Sequence, residues 1–147
     1  MENKIIIYTD GACKGNPGPG GWGAVIIDNN NEIELFGKKE NTTNNIMEMT
    51  AAIKALEYFK NKKKIILYTD SNYLKLGITN WIHNWKKNNW INSKKEPVKN
   101  KSFWITLDKL NTFHNVEWKW VKAHNGDEYN EKADKLATSA IEVSYEY

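Results

Sequence analysis

Two short apolar runs end in the same three letters, and that repetition constrains the chain more than any other feature. Residues 5–10 read Ile-Ile-Ile-Tyr-Thr-Asp and residues 65–70 read Ile-Ile-Leu-Tyr-Thr-Asp. Runs this short, rich in β-branched and aromatic residues, form strands. Side chains alternate along a strand, so Ile6, Tyr8 and Asp10 share one face, as do Ile66, Tyr68 and Asp70. Set side by side in parallel, these strands carry Asp10 and Asp70 to the carboxyl end of one sheet, where open α/β sheets take their ligands.

The intervening chain supplies the rest of such a sheet. Residues 11–21 hold five glycines and two prolines, a composition that predicts a turn or loop. Residues 22–27 and 32–37 read as two further strands around the turn Asp28-Asn-Asn-Asn31, an antiparallel meander by their short connections. Thr42-Thr43-Asn44-Asn45 opens a helix whose apolar stripe is Ile46, Met49, Ile53, Leu56 and Phe59. After the 65–70 strand, Asp70 or Ser71 is expected to cap a short helix. A two-turn helix is expected over 81–87, and Ser102 is expected to cap one carrying Phe103, Leu107 and Leu110. A last strand over 116–121 puts Trp118 and Trp120 on one face, both expected in the core. Asp127 caps a final helix with Ala133, Leu136, Ala137, Ala140 and Ile141 as its stripe. The predicted fold class is α/β: one five-stranded mixed sheet, three antiparallel strands then parallel ones, flanked by helices.

At 147 residues and 40% apolar content the chain is expected to be a single globular domain over 1–147. One cysteine, Cys13, excludes an internal disulfide and favours a reducing compartment, so a cytoplasmic location is expected. The N-terminus shows neither a basic leader nor a long apolar core, and no stretch spans a membrane. Between residues 80 and 101 stand six lysines against one acid, Glu96. This net +5, in a chain of net +3, leaves −2 elsewhere. The same segment carries Trp81, Trp85 and Trp90. Every one of the 21 basic residues is lysine. Without arginine to fork onto guanine edges, such a surface suits a nucleic-acid backbone better than a base sequence.

Four carboxylates fall where they can converge: Asp10, Asp70, Glu48 in the first turn of the first long helix, and Asp134 beside the stripe of the last. Each also has a local use. Glu48 can close a capping box with Asn45, Asp70 can cap a helix, Asp10 can start a turn, and Asp134 can pair with Lys132 or Lys135. Taken together, two identical strand endings in aspartate are not required by capping. Clustered carboxylates repel one another and hold protons, and a divalent cation relieves both effects. All-oxygen ligands select a hard ion, Mg²⁺ or Mn²⁺. Paired ions so held serve in-line displacement at phosphorus, which fits a phosphodiester polymer on the lysine-rich segment. His124, in a polar loop before the last helix, can exchange a proton with water or a leaving group, or simply face solvent.

These residues together resemble type 1 ribonuclease H, in the bacterial form with a basic protrusion. The likeness rests on Thr9-Asp10-Gly11 with Gly15-Asn16-Pro17-Gly18-Pro19-Gly20-Gly21-Trp22-Gly23, on Thr42-Thr43-Asn44-Asn45 with Met47-Glu48, and on Thr69-Asp70-Ser71. Gly77-Ile78-Thr79, the 81–87 segment, Pro97-Val98-Lys99-Asn100, and Trp120-Val121-Lys122 with His124 extend it over nearly the whole chain. The resemblance implies an endonuclease that cuts the RNA strand of an RNA–DNA hybrid duplex, leaving 5′-phosphate and 3′-hydroxyl ends without strong base preference. It implies that Asp10, Glu48, Asp70 and Asp134 are catalytic acids that bind the metal, that His124 shuttles protons, and that Asn130 supports the site. Cys13, Asn16, Asn44 and Asn45 then face the RNA strand's 2′-hydroxyls, and Asn72 the minor groove. Thr43 and Asn100 form a pocket for a DNA phosphate, Trp81 and Trp85 a channel for the DNA sugars. Lys86, Lys87, Lys94, Lys95 and Lys99 belong to the protrusion, about 80–101. A monomer with no obligate protein partner is expected.

Four positions depart from the family pattern. Asn72 stands for a frequent Gln and shortens a minor-groove contact. Asn41 stands for an arginine that assists the phosphate pocket. Ala12 replaces a frequent Ser, and Ala123 a frequent Gly, stiffening the loop before His124. None touches the four acids. A non-catalytic domain binding hybrids or RNA duplexes would need the same basic surface but not those acids.

Overall fold

The two strands with matching ends do pair in parallel. In the computed structural model, which describes residues 4–123 and 126–142, β1 (Ile5–Cys13) lies beside β4 (Lys64–Thr69), with Tyr8 opposite Tyr68 and Thr9 opposite Thr69. On the other side of β1 run β2 (Gly18–Asp28) and then β3 (Asn31–Thr42), each antiparallel to its neighbour. Beyond β4 comes β5 (Asn115–Trp120), parallel to it. The order β3-β2-β1-β4-β5 is the mixed sheet the sequence predicts.

The glycine-rich stretch is a loop only at its tip. β1 continues to Cys13 and β2 begins at Gly18, with Gly11 opposite Trp22, Ala12 opposite Gly21 and Cys13 opposite Gly20. Turn-forming composition misleads here because the glycines serve close packing, not bending. A Cβ on Gly21 would lie 2.1 Å from the carbonyl oxygen of Ala137, and one on Gly23 2.6 Å from Leu136 Cβ. β3 likewise runs past residue 37, pairing on to Thr42.

Two layers of helix cover the sheet. On one face α1 (Asn44–Glu57), whose N-cap Thr43 accepts from Ile46 N, packs Met49, Ile53 and Leu56 onto Ile5, Ile7, Ile65 and Leu67. Behind it α4 (Lys101–Phe113) adds Trp104 and Leu107, both fully buried. Ser102 does not cap this helix; Asn100, in a left-handed conformation (φ 61°), precedes it. On the other face lies α5 (Glu128–Ile141), capped as expected by Asp127 and burying Ala133, Ala137 and Ala140. Between β4 and α4 the chain is helical from Asn72 to Lys87. It runs as α2 (Asn72–Leu76), one π-helical turn (Gly77–Trp81) and α3 (Ile82–Lys87), so the helix expected over 81–87 is the last third of a longer element. Trp118 is core, but Trp120 is 44% exposed. It lies at the strand's end, past the cover of the helices, and its indole N–H donates to the Asp70 carbonyl at 3.1 Å.

Candidate active site

The strand ends deliver the first two acids. Asp10 is 4% exposed, and its Oδ1 accepts from Gly11 N at 2.9 Å. Asp70 follows β4 directly. It does not cap α2: Ser71 does, its hydroxyl accepting from Leu74 N at 3.1 Å. The third acid reaches them because Gly11 carries no side chain; a Cβ there would lie 2.5 Å from the backbone nitrogen of Glu48. α1 therefore lies hard against β1, and Glu48 is 3% exposed at their junction. One carboxylate oxygen from each of Asp10, Glu48 and Asp70 lies within 4.8 Å of the others.

This crowding sets the electrostatics. Burial, then the Asp70 charge, then a hydrogen bond with Asp134 push the Asp10 pKa up to about 8. Burial chiefly, with the charges of Asp10 and Asp70, raises Glu48 well above the ordinary carboxylate range. Asp134 stands outside that close trio, half-buried, and is felt at Asp10, whose pKa it helps to raise. Lys132 leaves it alone, pairing instead with Glu32 and Glu34 of β3. Glu48 Oε1 is buried with no hydrogen-bond partner, and so is Asn130 Oδ1 on the first turn of α5. A buried acceptor without a donor costs about 1–3 kcal/mol. Oxygens left unmatched among converging carboxylates are the donor set of a hard divalent cation, which would satisfy them and lower the raised pKa values together.

Around this cluster the polar residues fall into two groups. Near the β1–β2 turn, Asn16 Oδ1 accepts from Asn44 N at 3.2 Å, and Cys13 Sγ contacts the carbonyls of Gly18 and Thr42. Asn45 and Thr43 adjoin them on α1. The second group is aromatic. Trp81 is 39% exposed, and its ring lies 6.0 Å from that of half-buried Trp85. Trp85 rests on buried Trp104 at 5.4 Å. Tyr73 ties the aromatic group to Asn100: its ring meets Trp81 at 5.8 Å, and its hydroxyl accepts from Asn100 Nδ2 at 3.1 Å. Asn72 is exposed two residues beyond Asp70.

Comparison with known proteins agrees with this geometry. The family profile described as RNase H matches residues 2–142. The chain is 57% identical over 139 residues to Ribonuclease H of Ehrlichia canis (strain Jake), covering 95% of each. The chain belongs to the ribonuclease H family. Among solved structures it superposes on LC9-RNase H1, a type 1 RNase H with the type 2 active-site motif, with a TM-score of 0.85 and 28% identity. That match covers 97% of this chain and 74% of the other. LC11-RNase H1, solved in complex with an RNA/DNA hybrid, matches with a TM-score of 0.68 and 30% identity over 94% of this chain and 96% of the other.

Within that family frame the protrusion keeps its lysines exposed, but Lys86 pairs with Asp108 of α4 at 3.1 Å. Its charge is partly spent inside the protein. His124 lies outside the described residues. Two features escaped the sequence reading. Tyr73, as the link between Asn100 and the tryptophans, has no signal beyond an aromatic residue three places after Asp70. Tyr8 and Tyr68 were visible in the repeated triplets, where the aspartates alone drew the functional reading.

Proposed function

We propose that Asp10, Glu48, Asp70 and Asp134 hold Mg²⁺, with Mn²⁺ as a substitute, to cut the RNA strand of RNA–DNA hybrids. The observation that carries this is three carboxylates from three separate elements within 4.8 Å, one of their oxygens buried and unmatched. The bound cation supplies a stronger water nucleophile and stabilises the leaving oxygen. Asp10, Glu48 and Asp70 would hold it, Glu48 brought to them by the close approach of α1 to β1 at Gly11. His124 takes the proton of the attacking water or passes one to the departing 3′-oxygen.

Asn16, Asn44, Asn45 and Cys13 present amide, backbone and thiol groups that read a 2′-hydroxyl, the group only RNA carries. Asn130 supports Asp134 from the preceding turn. Thr43 and Asn100 take a DNA-strand phosphate, Trp81 and Trp85 stack along its sugars, and Asn72 reaches the minor groove. Lys87, Lys94, Lys95 and Lys99, with Lys86 contributing less, hold the hybrid backbone. The chain works as one domain and as a cytoplasmic monomer; among its described residues no helix is long and apolar enough to cross a membrane.

The test is direct. The protein is incubated with MgCl₂ and end-labelled hybrid, duplex DNA and duplex RNA. Cleavage confined to the hybrid's RNA strand, abolished by EDTA and leaving 5′-phosphates, is expected. Binding without cleavage of any substrate would mean a recognition module, and equal cleavage of duplex DNA would remove the hybrid assignment.

A further inference from the structure

The tyrosines that precede the strand aspartates form a structure of their own. Parallel register sets Tyr8 opposite Tyr68, and their rings stack at 4.6 Å with 11° between planes. Tyr129, on the first turn of α5, closes on the free side of Tyr8 at 5.5 Å and 33°. Residues two apart on a strand share a face, so the Tyr8 and Tyr68 rings lie one pleat, about 6.6–6.8 Å, beneath Asp10 and Asp70. A helix-borne ring is thereby locked to two strands directly under the acid cluster.

α5 needs such a lock. Its contact with the sheet is built on Ala133, Ala137 and Ala140 against Gly21 and Gly23. Small residues allow close approach but offer few ridges to fix a helix along its own axis. Its ion pairs, Lys132 with Glu32 and Glu34 and Lys14 with Glu142, lie at partly or largely exposed positions and contribute little. A slip of one residue moves Asp134 by about 1.5 Å, and misplacement of about 1 Å is enough to cost catalysis heavily. Asp127 accepts from the backbone N–H of both Tyr129 and Asn130, so the ring and the buried amide move as one unit.

We propose that Tyr129, closing the stack with Tyr8 and Tyr68, is a positioning residue that fixes where α5 holds Asn130 and Asp134 against Asp10 and Asp70. The proposal rests on the reading of these acids as metal ligands. It is tested by titrating wild type, Tyr129→Ala, Tyr129→Phe and Lys132→Ala with MgCl₂ by calorimetry, alongside metal-free melting and kcat and KM on a hybrid. Tyr129→Ala should weaken Mg²⁺ binding about tenfold, the usual size of an outer-shell loss. Its kcat should fall in step at unchanged KM, and Tyr129→Phe, which keeps the ring, should restore both. Lys132→Ala, which removes the exposed ion pairs of the same helix away from the stack, should leave Mg²⁺ affinity and kcat unchanged and move the melting temperature little. If Tyr129→Ala does not fold, Tyr68→Ala removes the far ring without touching α5, and the same loss at smaller size is expected. Mg²⁺ affinity and kcat unchanged in these variants, whatever their melting temperatures, would reject the positioning role alone. Wild-type protein that neither binds Mg²⁺ nor cleaves would instead reject the metal reading beneath it.

Discussion

The two faces of the sheet are packed by opposite means. The face under α1 and α4 is filled with large side chains, Ile5, Ile7, Met49, Leu56, Leu67, Trp104 and Leu107, all essentially inaccessible to solvent. The face under α5 is packed differently: over β2, alanine is laid on glycine with backbone almost touching backbone, and over β1 and β4 lies the stack of Tyr8, Tyr68 and Tyr129. Each face carries one helical acid of interest, Glu48 inside the close trio and Asp134 beside it. Glu48 arrives from the filled face and is fully buried; Asp134 arrives from the thin face and is half-buried. A carboxylate can thus be held by interlocking bulk or by close approach of backbone to backbone.

The strongest way to break the comparison is to remove each acid in turn. Glu48→Gln should cut the cleavage rate about a thousandfold or more, roughly 4 kcal/mol in the barrier. Its metal-free stability should not fall, since a crowded buried carboxyl gives way to a neutral amide of the same shape. Asp134→Asn should cost clearly less, about tenfold, or roughly 1.4 kcal/mol, because Asp134 lies outside the close trio of Asp10, Glu48 and Asp70. Single-turnover rates on labelled hybrid at saturating MgCl₂ decide the order, and equal losses would mean the two faces hold their acids alike.

Next in size are the packing variants. Trp104→Ala on the filled face should lose about 3–5 kcal/mol of stability, read from urea unfolding, as a large cavity opens. Gly21→Ala on the thin face adds a single methyl aimed at the Ala137 carbonyl and should lose about 1–3 kcal/mol. The contrast lies in function: Gly21→Ala should also weaken Mg²⁺ binding by displacing α5, whereas Trp104→Ala should leave Mg²⁺ affinity close to wild type.

The smallest effect is a pH dependence. Asp10 titrates near 3.8 when unfolded and about 8 in the folded protein. Between those values the native state keeps a proton that the unfolded chain has released, so its metal-free stability falls as pH rises. The slope is at most about 1.4 kcal/mol per pH unit for each such proton. Buried His114 works in the other direction. Its Nδ1 accepts from Lys63 N at 3.1 Å and its Nε2 meets the Leu56 carbonyl at 3.0 Å, and burial lowers its pKa from 6.5. It contributes stability above that pH which is lost as pH falls. Metal-free melting should therefore decline from about pH 6.5 to about pH 8, with MgCl₂ or Asp10→Asn flattening that limb.

Much of this was legible in the chain. The Tyr-Thr-Asp repeat gave the parallel pair and its register, and helical periodicity placed α1 and α5 with their caps. What escaped depends on distant partners. Gly11, Gly20 and Gly21 look like loop residues until α1 and α5 are seen pressing on them. Strand alternation puts Trp118 and Trp120 on one face but says nothing of how deep each lies. Asn100 ahead of α4 takes a left-handed backbone that residue preference alone would give to glycine. The convergence of Asp10, Glu48 and Asp70 is legible because two matching strand ends and a helix start point to one place; the tyrosines beneath carry no such signal, because aromatic residues on strands usually need no further reason than the core.

β3 is one of the two edge strands, and among the described residues no strand pairs with its outer side from Asn31 to Thr42. An unpaired edge of that length is a template on which another chain could add a strand. Here Glu32, Glu34, Lys38, Lys39 and Glu40 crowd the strand with charge of both signs. A neighbouring molecule that docked along it would have to strip water from these groups. The protection against cross-β growth is therefore written into the same strand whose glutamates meet Lys132 of α5.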